Sequence, residues 1–269
     1  MPAKAPLAKP CDTIFIYDGT FNGFMCCVHE SVYSRELPLA IVDDESEPIT
    51  LYTIRRIETD EEKATRVLTS ISTKISPDAQ RLVETVFLSC LQEKELLMLK
   101  FLLRGYREGG RLLNALGDPD VAPLLRAKKH LLSEAHLLTG FVRFTDYGGS
   151  LASVITPKNF ILPFIADHFT ARFEDEDFLI FDKTHKAALV YQNRRRDIIS
   201  VEEIEFPPVS RDEEHYQALW KRFYNTVAIQ ARENPRCRMT HMPKRYWANM
   251  TEMQGLLQPK YAPHKSEPQ

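Results

Sequence analysis

The sequence predicts an α+β protein in which a helical block packs on a mostly antiparallel sheet. Three observations carry this. Apolar residues recur at spacings of three and four through most of residues 59–138. Short β-rich runs, TIFIY at 13–17, FLIF at 178–181 and AALVY at 187–191, flank that block. Between them Glu134–Phe173 hands over from helix to sheet.

Taken in order, TIFIY is a strand ended by the Asp18-Gly19 turn signal. Phe21, Phe24, Met25, Val28 and Val32 then trace a helix, and 39–42 and 50–57 read as two further strands. Thr59 with Glu62 forms a capping box, and Ser76-Pro77 supplies a cap and an N1 proline for the next helix. Residues 96–103 are apolar nearly all round and predict a helix buried on most sides; another helix spans 122–138. A break is expected at Gly140. FVRF at 141–144 then reads as a strand, DYGG as a turn, SLASVI as a second strand and Thr156-Pro157 as a helix start. FLIF, AALVY and 197–201 give three more strands, with Arg194-Arg195-Arg196 in the last turn. Ser210 with Glu213 caps a helix whose face carries Tyr216, Leu219, Trp220, Phe223, Tyr224 and Val227. The expected organisation is a flexible tail at 1–11, a mixed unit with a helical block at 12–139, a sheet unit with C-terminal helices at 140–258, and a flexible tail at 259–269, the two middle regions forming one globule.

Composition narrows the function classes. At 269 residues, 43% hydrophobic and 10% aromatic, the chain has ample material for a core. A net charge of -2 excludes nucleic-acid coating through bulk charge, so any anion site must come from local clustering. Five scattered cysteines fit free thiols in a reducing compartment, and Cys26 and Cys27 read as small buried hydrophobes. No apolar run is long enough to span a bilayer, and MPAKAPLAKP is not a signal peptide, so a cytoplasmic protein without membrane association is expected. The chain has no CxxC pair, HExxH, Walker A, GxGxxG or GxSxG motif. No metal and no cofactor is expected.

Candidate functional residues fall in two groups. His136 and His168 border apolar helical faces near the 141–144 segment. They are either half-buried structural histidines or a proton-transfer or phosphate-contacting pair, with Asp18 or Glu134 as a possible carboxylate partner. Arg143 and Arg172 sit on the same neighbouring elements. In the second group, Arg232, Arg236, Arg238, Lys244 and Arg245 face one acid, Glu233, within 232–247. Tyr246 and Trp247 adjoin them, either stacking on bases or packing the last helix onto the core. Asn234-Pro235 and Met242-Pro243 predict an exposed connection between them, and Lys244-Arg245 begin a final helix. The expected nucleic-acid contacts are Arg143, Arg236, Arg238, Lys244, Arg245, Tyr246 and Trp247.

The segments IYDGTFNGF with Cys26, EAHLLTGFVRF, ADHFTARF, and REN-P with MPKRYW resemble an uncharacterised bacterial family placed in DNA metabolism and DNA repair. The resemblance covers roughly residues 12–250. Members are typically encoded beside a radical SAM protein of DNA modification or repair, and related domains are fused to uracil-DNA-glycosylase-like domains. It implies a protein that binds single-stranded or damaged DNA and acts with a radical SAM partner. A hydrolase or lyase on damaged nucleic acid, using His136 and His168, and an interaction module without DNA affinity are the alternatives.

Overall fold

A computed structural model describes residues 8–46, 50–228 and 234–254. The chain divides into two compact units, Met1–Leu131 and Leu132–Gln269.

In the first unit, β1 (Lys9–Pro10) precedes β2 (Thr13–Tyr17), all five of whose residues are buried. The run TIFIY has no polar alternation because β2 is the central strand of a parallel sheet, covered on both faces. The Asp18-Gly19 turn, with Gly19 at φ 73, leads into α1 (Phe21–Ser34). Thr20 caps this helix by accepting from the Gly23 N–H at 3.0 Å. After β3 (Glu36–Leu37), β4 (Ala40–Asp43) pairs parallel to β2 with Phe15 opposite Ile41. On the other side β5 (Thr53–Arg56) pairs parallel to β2, giving the order β4-β2-β5.

Helices α2 (Glu61–Lys74), α3 (Pro77–Phe87) and α4 (Lys94–Glu108) complete this unit's core with Phe15, Phe24, Met25, Ile71, Leu82, Phe101 and Leu102. Residues 96–103 contribute four fully buried side chains, in accord with their nearly all-round apolar character. Cys26 and Cys27 are buried, as expected. The cap of α2 differs by one residue from the expected box: Asp60, not Thr59, accepts from Lys63 N at 3.0 Å. Thr59 is recruited by Asp18, whose Oδ2 accepts from its hydroxyl at 2.7 Å.

Helix α5 (Ala122–Phe141) runs through Gly140, so the break expected there is absent, and the strand expected at 141–144 does not form; a two-residue strand, β6 (Thr145–Asp146), follows it instead. Gly140 has an ordinary helical backbone, and the helical turn beyond it brings the Phe141 ring to 5.8 Å from that of Tyr246. Tertiary packing here overrides the β propensity of FVRF.

The second unit's sheet continues with β7 (Ser150–Ile155), then α6 (Leu162–Arg172), β8 (Asp177–Asp182), β9 (Ala187–Gln192) and β10 (Arg195–Ser200). Its order is β10-β9-β8-β7-β6. The α+β class holds, but the sheet is mixed rather than mostly antiparallel. Because α6 separates β7 from β8, the chain returns to the same end of the sheet and the two strands run parallel. The hairpins β6–β7, β8–β9 and β9–β10 are antiparallel. Asn193 and Arg194 both have positive φ, 52° and 59°, the backbone a tight two-residue hairpin requires. Arg195 and Arg196 therefore belong to β10 rather than to the turn.

Helix α7 (Arg211–Val227) is capped by Ser210 as expected, yet none of its residues is buried. A short helix, α8 (Pro235–His241), replaces the exposed connection expected there. Asn234 caps it through Cys237 N, and Pro235 takes the N1 position, where its missing N–H costs nothing. A 3-10 helix at Lys244–Asn249 follows. Arg232, Glu233 and the 259–269 tail lie outside the described residues.

The Asp18 loop makes one stability test sharp. A Cβ on Gly23 would stand 2.1 Å from Asp18 Oδ1 and 2.8 Å from Thr59 Oγ1. Gly23→Ala is expected to lower unfolding free energy in urea by about 1–3 kcal/mol. The penalty should shrink in an Asp18→Ala background, where the obstructing carboxylate is gone.

Candidate functional site

A cavity of about 520 Å³ lies in the second unit. Its floor is a phenylalanine cluster: the Phe144 ring meets Phe169 at 5.6 Å and Phe173 at 5.0 Å, both edge to face. Its α7 wall carries Glu213, Tyr216, Gln217 and Trp220. Arg143 and Arg172 supply the cations. Trp220 is 41% exposed and Tyr216 66% exposed, unusual for large rings on a helix that buries nothing.

The two arginines differ. Arg143 makes a two-point ion pair with Glu252, Nη2 to Oε1 at 2.7 Å and Nε to Oε2 at 3.2 Å. The Glu252 side chain is 2% exposed and also accepts from Trp220 Nε1 at 3.0 Å. Burial pushes its carboxyl up, but the hydrogen bonds from Arg143 and Trp220 outweigh that and hold it below the usual range. Arg143 is thus a brace, with its guanidinium 5.8 Å from the Trp220 ring centre. Arg172 is exposed, and its guanidinium stands 5.8 Å from the Phe173 ring centre.

A second polar centre surrounds Glu134, whose side chain is 1% exposed. Its two oxygens accept from Lys158 N at 3.1 Å, Asn159 N at 2.8 Å, Asn159 Nδ2 at 2.5 Å, Arg245 Nη2 at 2.9 Å and the Tyr246 hydroxyl at 2.7 Å. Burial raises the Glu134 carboxyl, and the hydrogen bonds from Tyr246, Asn159 and Lys158 bring it below its ordinary value. With both oxygens so occupied, this carboxylate is a structural anchor rather than a base.

The residues expected to meet nucleic acid therefore separate into roles. Arg245 pairs with Glu134 and lies 4.6 Å from the Tyr246 ring centre. Tyr246 and Trp247 are core residues, 2% and 5% exposed, and Trp247 Nε1 donates to Met242 O at 2.9 Å. Arg238 and Lys244 place their charges 5.8 and 5.9 Å from the Trp247 ring centre. Arg236 and Lys244 are exposed.

His136 on α5 and His168 on α6 are both exposed, and neither lines the cavity. Sequence reading passed over a different histidine. His185 Nδ1 lies 2.7 Å from Oδ2 of the fully buried Asp182, whose Oδ1 accepts from Thr184 N and His185 N. The Asp-x-x-His spacing in a hairpin turn was its only signal. Glu252 was missed as well, because nothing near it in the chain marks it as a partner of Arg143. A smaller cavity of about 250 Å³ in the first unit is lined by Asp43, Glu93 and Glu95 with Leu39–Val42 and Leu96. Its charge makes it unsuited to a polyanion.

A family model described as "Domain of unknown function (DUF4130)" matches residues 92–252, more than half of the chain, and the chain belongs to this family. No curated protein and no solved structure matches it. Among the described residues no helix is long and apolar enough to cross a membrane.

The Glu134 centre can be tested by substitution and by pH. Glu134→Ala strands buried donors and an arginine, and is expected to cost about 3–5 kcal/mol in urea unfolding. Because the folded-state carboxyl value is depressed, Glu134 stabilises the protein above the ordinary carboxylate range near pH 4.3. That contribution is lost as pH falls through the folded value. The acid limb of a stability–pH curve should therefore flatten in Glu134→Gln. Trp247→Ala should likewise lower stability by about 3–5 kcal/mol, as removal of a large core side chain does.

Proposed function

We propose that this member of the DUF4130 family binds single-stranded or damaged DNA in DNA metabolism or repair, together with a radical SAM protein. The observation that supports binding most directly is the cavity of the second unit. There, exposed Trp220 and Tyr216 line the same cavity as Arg172, the combination of stacking face and phosphate-binding cation that a single strand uses. Arg236 and Lys244, exposed on α8 and the 3-10 helix, are further cations that could meet phosphates. Arg143 and Arg245 are assigned to the protein's own carboxylates instead. The DNA-metabolism setting and the radical SAM partner come from the family resemblance of the sequence.

A second reading has its own support. Leu219, Phe223 and Val227 on α7 are 45%, 56% and 56% exposed, a stripe suited to docking the partner protein. Co-purification of the two proteins that is abolished in Phe223→Glu, with DNA affinity retained, would assign that stripe to the partner.

Binding of a fluorescent single-stranded oligonucleotide tests the first reading. Affinity should fall as salt rises. Arg172→Ala, which leaves one phosphate fewer neutralised, should reduce the slope of log K against log salt by about 0.7. An Arg143→Ala protein should instead show a loss of folding stability. Salt-independent binding, or an unchanged slope in folded Arg172→Ala, would count against the assignment.

A further inference from the structure

We propose that the cavity under α7 accepts one unstacked nucleobase and selects bases that carry an exocyclic amino group, reading that group with Glu213 and Gln217. This deepens, and rests on, the strand-binding reading of the same cavity.

Size and shape come first. At about 520 Å³ the cavity lies in the range of small-molecule sites and has room for a base with its sugar. Its apolar floor of Phe144, Phe169 and Phe173 offers nothing to a hydrated charge. Tyr216 and Trp220 give it a wall of flat rings, and a planar unsaturated ring is the ligand that such a wall favours.

The edge chemistry is more selective. Gln217 Nε2 donates to Glu213 Oε1 at 2.8 Å. That bond uses one of the two amide N–H groups, leaving the other N–H as a donor and the Gln217 carbonyl oxygen and Glu213 Oε2 as acceptors in the majority. Acceptors gathered on one wall call for a ligand edge that donates. Cytosine, adenine and guanine each present an amino group, whereas thymine presents carbonyl oxygens and a single ring N–H. The Arg172 guanidinium, at the same cavity, suits the flanking phosphate. Arg143 does not compete for it, because Glu252 neutralises it.

The chain's two tryptophans make the test direct. Trp247 is buried with its N–H bonded to Met242 O, so quenching by an added ligand reports Trp220. The full chain is titrated at neutral pH with oligodeoxycytidylate and oligothymidylate of equal length, about eight nucleotides. Binding is followed in parallel by anisotropy of an end label. The cytosine strand is expected to quench Trp220 and to bind about tenfold more tightly than the thymine strand. Trp220→Phe should abolish the quench, and Glu213→Gln should bring the two affinities together. Equal affinities in the parent, unmoved by Glu213→Gln, would overturn the base selection and leave strand binding standing. Anisotropy that shows no binding of either strand at low salt would overturn both.

Discussion

The buried carboxylate of Glu134 is the interaction on which the C-terminal part of the second unit depends. A charge at 1% exposure survives only if every lone pair is met, and here the 158–159 loop and the 3-10 helix supply the donors to a carboxylate carried by α5. The partners lie 24 to 112 positions away in sequence. One side chain on α5 thereby fixes where the 158–159 backbone sits and where Arg245 and Tyr246 enter the core. The consequence reaches Trp247, whose ring follows Tyr246 inward and draws Arg238 and Lys244 to about 6 Å of its centre.

A second buried carboxylate, Glu252, performs the same task at the cavity. It joins Arg143, just beyond the end of α5, to Trp220 of α7, so the wall of an otherwise unburied helix is tied down through a charge-assisted contact. Both anchors consume arginines that composition alone would assign to an anionic partner. What remains for such a partner is set by subtraction. Arg172, Arg236 and Lys244 keep their charges at the surface, while Arg194 and Arg196 are held by Asp175 and Asp167. A cluster of basic residues in sequence is thus a poor measure of surface charge until the acids that fold against it are known.

Local signals were legible and long-range partners were not. The caps at Ser76 and Ser210, the buried run TIFIY and the all-round apolar helix at 96–103 each obey rules that act within a few residues, and each stands where those rules put it. Gly140 misled because glycine only lowers helix propensity by about 1 kcal/mol, a cost that the ring contact of half-buried Phe141 with Tyr246 can offset. Asn234-Pro235 misled in the opposite sense, since the same pair that ends a helix also makes an N-cap followed by an N1 proline. The parallel β7–β8 pair is written in the order strand, helix, strand, whereas turn signals by themselves favour antiparallel neighbours. At the site, Arg143 and Arg172 lie together as their neighbouring elements suggest, while Glu252 is more than a hundred residues from its arginine and carries no local mark.

Helix α7 shows how a pattern and its burial can part company. Its apolar and aromatic residues recur on one face with the regularity of a core helix, yet none is buried. Exposing such a face costs free energy in proportion to its apolar area, and the Arg143–Glu252 pair, bonded to Trp220, is one contact that offsets that cost. The part that lines the cavity, Tyr216 and Trp220, differs from the part that does not, Leu219, Phe223 and Val227: the first offers flat rings with polar tips, the second aliphatic and phenyl surface. The Tyr216 hydroxyl suits a ligand that is polar at its edge, whereas the Trp220 N–H is already donated to Glu252 and leaves only the indole surface to a ligand. Purely apolar side chains gain nothing from such a ligand and everything from another protein's apolar surface. The chemistry of one helix therefore divides it into a cavity-lining part with heteroatom-bearing rings and an exposed, purely apolar stripe.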